Sequence, residues 1–99
     1  MSVLITGAFG LLGTNLCYEF LKAGKEVLAY DLIYRIPKFL RGYEKDKNLI
    51  FVKGDMTDSW RLLESIKQYK VTEIIHVATL MEDKASIQRP YQFLRTNIL

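Results

Sequence analysis

A single cysteine, Cys17, stands among the 99 residues of this chain, so no disulfide can close within it. That fits a reducing compartment, and cytoplasm is the expected location. No apolar run approaches the length of a membrane span. The opening residues are too short and too quickly interrupted for a signal peptide, so no membrane partner is expected. The one histidine, His76, has no metal-partner or nucleophile spacing around it. It reads as a packed or hydrogen-bonded residue at a strand end, and no metal is implied. Neither sign of charge forms a run: 14 basic and 11 acidic side chains interleave to a net +3. That balance hints at an anionic ligand without calling for nucleic acid. Repeats and low-complexity stretches are also lacking. The apolar share of 49% and charged share of 25% are those of one small globular domain, marginal in stability at this size.

What the chain does have is Thr6-Gly7-Ala8-Phe9-Gly10-Leu11-Leu12-Gly13, placed between the apolar run Val3-Leu4-Ile5 and a helical pattern. Gly7 permits a tight turn out of a strand, Gly10 a close approach of backbone to a pyrophosphate, and Gly13 a close seat for the following helix. The N–H groups of Gly10, Leu11 and Leu12 would point at the phosphates from the helix N-terminus. Accidental glycines in an ordinary turn are the competing reading of these residues alone.

Ser2–Thr6 reads as a buried parallel strand. Leu12, Leu16, Phe20 and Ala23 recur at helical spacing over Leu11–Ala23, and Gly24 stops that helix. Cys17 lies inside it and reads as a buried, inert thiol. Val27–Tyr30 is a second strand ending at Asp31, which completes a βαβ unit. At that strand end a carboxylate can accept hydrogen bonds from both hydroxyls of an adenosine ribose. A 2′-phosphate there would meet like charge, which favours NAD over NADP. Arg35, Lys38 and Arg41 lie close in sequence and could welcome such a phosphate, but they read more simply as a solvated loop.

Residues 33–48 form an irregular connection with room for one short helical turn. Leu49–Val52 is a third strand, and Asp55 follows it at the carboxyl edge of the sheet, where ligands bind in open α/β folds. Asp58 caps a helix from Ser59 to about Tyr69, with Trp60, Leu63 and Ile66 on its inner side and Trp60 as a helix–sheet anchor. Glu73–Val77 is a fourth strand, leading through His76 to Ala78-Thr79. Leu80–Arg89 is polar and loop-like, and Pro90 suits the first position of a new helix from Tyr91 onward.

Taken in order, Thr-Gly-x-x-Gly-x-x-Gly at 6–13, Asp31, Gly54-Asp55-Met56-x-Asp58, His76-Val77-Ala78 and Ser86-x-x-x-Pro90 before Thr96-Asn97 resemble a known family. They are similar to the N-terminal part of the extended short-chain dehydrogenase/reductases, more narrowly the NAD-dependent nucleotide-sugar epimerase/dehydratases. Thr79 departs from a frequent alanine in that family. The resemblance spans residues 1–99 as one NAD-binding fragment. It implies an α/β, Rossmann-type parallel sheet in order 3-2-1-4, with helices on both faces and truncated before its second half.

By position, the resemblance implies that Gly7, Phe9, Gly10, Leu11 and Leu12 hold the pyrophosphate by backbone contacts and that Asp31 binds the adenine-side ribose. Asp55 and Met56 would border the adenine, Asp55 accepting from its amino group. Val77, Ala78 and Thr79 would flank the pyrophosphate and nicotinamide-side ribose, and Asn97 would order the end of a fourth helix. The family's catalytic serine and Tyr-x-x-x-Lys pair lie beyond that helix. The local matches Tyr18–Lys22, Tyr34–Lys38 and Tyr43–Lys47 read as accidents, the second because Pro37 breaks the helical geometry. No catalytic residue is therefore assigned, and this chain alone is expected to be inactive. The expected ligand is the dinucleotide, with a nucleotide sugar as substrate of the complete protein. Two alternatives stand beside that: a non-catalytic NAD-sensing module, and a half-domain completed by another chain or a second copy, because the fourth strand would leave an apolar edge unpaired.

Overall fold

The structure, a computed structural model, describes residues 2–55, 57–79 and 91–97. Its centre is β1 (Ser2–Thr6), every residue of which is buried. Parallel neighbours lie on both sides: β2 (Glu26–Asp31) on one and β4 (Val71–Thr79) on the other, with β3 (Leu49–Lys53) outside β2. The parallel order is therefore 3-2-1-4, the order that the resemblance implies.

Two helices cover opposite faces. Alternation along each strand sends Val3, Ile5, Val27, Ala29, Ile75 and Val77 toward α1 (Leu11–Lys22). Leu4, Leu28, Tyr30 and Val52 form the other face with Leu62, Ile66 and Tyr69 of α2 (Ser59–Gln68) and its following residue. The register of β1 on β4 shifts between Ser2 and Val3, so Val71 and Ile74 serve the α2 side together. In α1 the deepest line is Gly13, Cys17 and Leu21, with Leu12, Leu16 and Phe20 only half-buried beside it and Ala23 exposed. The helix ends at Gly24, φ +81°, where the N–H groups of Gly24 and Lys25 donate to Leu21 and Phe20 at 2.9 and 3.0 Å. Asp58 caps α2 as expected, its carboxylate accepting the Arg61 N–H at 3.0 Å. Between β2 and β3, the helical stretch is a 3-10 helix of two turns over Lys38–Tyr43.

Two expectations fail. Trp60 and Leu63 are 71% and 52% exposed, so neither anchors α2 to the sheet. Two apolar stripes compete on this helix, and the sheet takes the one through Leu62, Ile66 and Tyr69, with Ser65 buried between them. The second failure is larger. Tyr91–Asn97 is a strand, β5, antiparallel to β4, and not a helix. Glu73 through Thr79 pair with Asn97 through Tyr91, so Asn97 ends a strand and the edge expected to be open is occupied. An unpaired β4 would leave a row of main-chain donors and acceptors unsatisfied, and that demand outweighs a weak local helix preference. Arg95 on β5 pairs with Glu73 on β4 and lies 5.8 Å over the Phe20 ring. The loop assigned to 80–89 and the helix start at Pro90 lie outside the described residues.

Candidate functional site

The carboxyl ends of β1 and β2 meet at the glycine turn. Gly7 has φ +59°, and a Cβ on it would stand 3.3 Å from the Val77 carbonyl oxygen, so the turn is seated against the end of β4. Gly13 is closer still: a Cβ there would lie 2.2 Å from the Gly7 carbonyl oxygen and 2.8 Å from Ala8 Cα. The third glycine of the motif thus brings α1 onto the turn itself.

The main-chain donors of this turn are not equivalent. Gly10 N–H donates to Gly7 at 3.1 Å, and Phe9 N–H donates to Asp31 Oδ2 at 2.9 Å. Among the described residues, the N–H groups of Leu11 and Leu12, at the start of α1, meet no main-chain acceptor. Those two donors carry the positive end of the helix dipole toward an incoming anion. Gly10 leaves the approach open, since among the described residues only the Gly7 oxygen comes within 4 Å of a Cβ placed on it.

Asp31 lies at the rim of this opening. Its Oδ1 accepts Leu32 N–H at 2.7 Å and its Oδ2 the Phe9 N–H, so each oxygen keeps a lone pair for a further donor. With Phe9, Gly10, Ile33 and Arg35 it lines a cleft of ≈ 340 Å³. Phe9 also belongs to an aromatic cluster beside the cleft: its ring stacks on Phe51 at 5.7 Å, and Tyr34 packs on both at 6.0 and 4.9 Å. Leu11, Thr14, Asn15, Pro37 and Phe39 border a neighbouring groove along the start of α1 with Phe9 and Gly10.

At the end of β3, Asp55 makes a local turn, Oδ1 accepting both the N–H and the hydroxyl of Thr57 at 2.9 Å. Those bonds hold the fully exposed carboxyl below its ordinary pKa. Met56, expected beside Asp55, lies outside the described residues. Val77 is buried against Gly7, and Ala78 and Thr79 follow it along β4, where their backbones pair with Gln92 and Tyr91.

His76 is not isolated. Its Nδ1 lies 3.0 Å from Thr6 Oγ1, which already accepts the Val77 N–H at 3.0 Å. The Thr6 hydroxyl proton is then free to go to His76, and the pair ties β1 to β4 beneath the glycine turn. Of the tyrosine–lysine matches, Tyr18 packs with Phe39 and Tyr43, and Lys22 Nζ lies 5.9 Å over its ring, not at its hydroxyl. Tyr34 belongs to the aromatic cluster with Phe9 and Phe51.

Sequence reasoning overlooked Tyr30. The pattern marks it only as a strand residue, yet its buried hydroxyl donates to the Asp55 carbonyl at 2.8 Å. Burial, and then the charge of Asp58, push its phenol above the ordinary value. Gly54 was the available signal, because any side chain there would collide with the Tyr30 ring.

A strand-turn-helix whose free amides adjoin a strand-end acid, on a parallel sheet in order 3-2-1-4, defines an α/β protein of Rossmann type. The chain belongs to the NAD-dependent epimerase/dehydratase family, whose model matches residues 3–99. It is 31% identical to a UDP-glucose 4-epimerase of Haemophilus influenzae, covering 99% of this chain and 30% of that protein. A UDP-glucose 4-epimerase of Klebsiella pneumoniae is 29% identical, over 99% of this chain and 73% of the relative. Among solved structures, the Bordetella bronchiseptica enzyme WbmG in complex with NAD matches with a TM-score of 0.68 and 31% identity, over 84% of this chain and 26% of that one. A dTDP-glucose 4,6-dehydratase of Bacillus anthracis, also in complex with NAD, gives 0.70 at 25% identity, over 80% and 27%. The chain thus corresponds to the amino-terminal part of longer relatives.

Proposed function

We infer that the chain is the NAD-binding part of a nucleotide-sugar epimerase, dehydratase or reductase of the cytoplasm. The observation that carries this reading is the juxtaposition of the unpartnered Leu11 and Leu12 amides with the Asp31 carboxylate across Gly10. The amides suit a diphosphate, and the remaining lone pairs of Asp31 suit the two hydroxyls of the adjoining ribose. Asp55 and Met56 would border the adenine; Val77, Ala78 and Thr79 would lie toward the nicotinamide side. Gly7, Phe9 and Gly10 would shape the pyrophosphate seat more than donate to it, because the Phe9 and Gly10 N–H groups are committed within the chain. Bound NAD supplies the hydride acceptor; the chain's own residues position it and hold the phosphates. A nucleotide sugar would be the substrate of a complete protein, and this chain alone is expected to turn nothing over.

Titration with NAD and NADPH tests the reading. The native chain should bind NAD more tightly, and Asp31→Ala should weaken NAD roughly tenfold or more while weakening NADPH less, since the lost acid no longer repels a 2′-phosphate. Arg35, in the same cleft, supplies the attraction that would keep NADPH bound. Equal losses for both ligands would overturn the ribose assignment.

A second reading, a binding module without chemistry, is favoured by β5. That strand closes within the chain the edge of β4 on which a longer parallel sheet would continue. NAD binding unaccompanied by turnover in the complete protein would support it.

A further inference from the structure

We propose that Tyr30 is a positioning residue for adenine selection: its hydroxyl holds the Asp55 main chain so that the neighbouring carboxylate faces the base. This rests on the proposed role of Asp55. Asp55 itself is on the surface, and among the described residues its carboxylate is steadied by Thr57 alone, two residues along. The Asp55 carbonyl takes two donors: the Asp58 N–H at 3.0 Å, from the cap of α2, and the Tyr30 hydroxyl at 2.8 Å, the one that ties it to the sheet. Tyr30 is wholly buried on the α2 side of β2, between Leu28 and Val52 of the same core, so its ring cannot swing. The ring also presses on Gly54, where a Cβ would stand 2.3 Å from the hydroxyl oxygen and 2.4 Å from Cζ. Backbone of β2 reinforces the brace, because Gly54 N–H donates to the Asp31 carbonyl at 3.0 Å. The last two residues of β2 thereby hold two loops at once. Asp31 holds the glycine turn through Phe9 N–H, and Tyr30 holds the β3 end through the Asp55 carbonyl.

A buried tyrosine hydroxyl needs a partner in any case, so stability alone does not distinguish a bracing role from a merely structural one. Ligand choice does. An acceptor carboxylate held at the base edge prefers the amino group of adenine to the oxo group of hypoxanthine. The native protein should therefore bind NAD roughly tenfold more tightly than nicotinamide hypoxanthine dinucleotide. Tyr30→Phe, which keeps the ring and deletes the donor, should cut that preference to about threefold or less. It should change binding of the hypoxanthine analogue little, because the phosphate and ribose contacts remain. Asp55→Ala should abolish the preference outright, and the double variant should go no further than Asp55→Ala. Four outcomes decide the matter. Loss of preference in both single variants supports the proposal. Loss in Asp55→Ala with a native preference in Tyr30→Phe overturns it and leaves the adenine reading standing. An unchanged preference in Asp55→Ala overturns both, as does failure of the native protein to bind NAD. Should Tyr30→Phe not fold, 4-fluorophenylalanine placed at position 30 keeps the ring and fills the space of the hydroxyl without a donor. The preference should fall there as in Tyr30→Phe, and a native preference would overturn the proposal.

Discussion

Cys17 shows how the packing of one residue sets its chemistry. The thiol is wholly buried under the glycine turn, with Sγ 3.8 Å from the Ala8 carbonyl. Burial, and next the charge of Asp31, push its pKa up to about 12. An unfolded cysteine ionises near about 8.5, so above that pH the unfolded chain sheds a proton that the folded chain retains. The thiol's contribution is therefore complete below about pH 8.5 and is lost as pH rises toward 12. Cys17→Ala removes the titrating group and serves as the reference. In urea denaturation at pH 8 and pH 10.5, the stability advantage of the native chain over Cys17→Ala should shrink, at up to about 1.4 kcal/mol per pH unit. A constant gap would show that water reaches the sulfur. The inertness of Cys17 was legible from its place in an amphipathic helix. Tyr30 was not legible, because a tyrosine inside a strand pattern signals packing, whereas its hydroxyl partner is a main-chain oxygen 25 residues away.

Among the elements, the two helices end in the same left-handed conformation with different residues. Gly24 follows α1 at φ +81°, and Lys70 follows α2 at φ 53°. A lysine there crowds its own Cβ against the backbone at a cost of about 1–2 kcal/mol, which glycine avoids. Lys70→Gly should therefore stabilise the protein by roughly 0.5–1 kcal/mol after the greater freedom of an unfolded glycine is subtracted. Gly24→Ala should destabilise it by about 1 kcal/mol, although a Cβ at Gly24 meets nothing within 4 Å, so that loss is purely a backbone effect. Denaturant midpoints with unchanged slopes would register both, and a less stable Lys70→Gly would refute the strain argument. Glycine and aspartate announced Gly24 and the Asp58 cap because each acts through adjacent backbone. The face of α2 that meets the sheet did not announce itself. Its apolar residues fit two helical phases, and only the sheet's own pattern selects the one through Leu62 and Ile66.

For the molecule as a whole, the parallel order of β1 to β4 follows from a chain that alternates strand and helix, and it could be read from the sequence. What lies beside β4 could not, because edge pairing is a contact between distant segments that local preference does not encode. Tyr91–Asn97 supplies that pairing, with Arg95 setting its charge against Glu73. The outer strand at the other side, β3, is short and ends in exposed Lys53, a usual protection against pairing with other chains. β4 is longer, nine residues, and carries Ile74, Ile75 and Val77. Its only described lateral partners are β1 and β5. Removing residues 91–99 would therefore expose a long, apolar template for strand addition. A chain ending at Pro90 should sediment as dimers or larger species in a concentration-dependent way, while the 99-residue chain at the same concentration should not. Arg95→Glu, which sets like charges across the β4–β5 pair, should shift the intact chain part of the way toward association. If the shortened chain stays monomeric at high concentration, β5 is not what guards the β4 edge, and the reading of this chain as a self-closed binding module loses its structural ground.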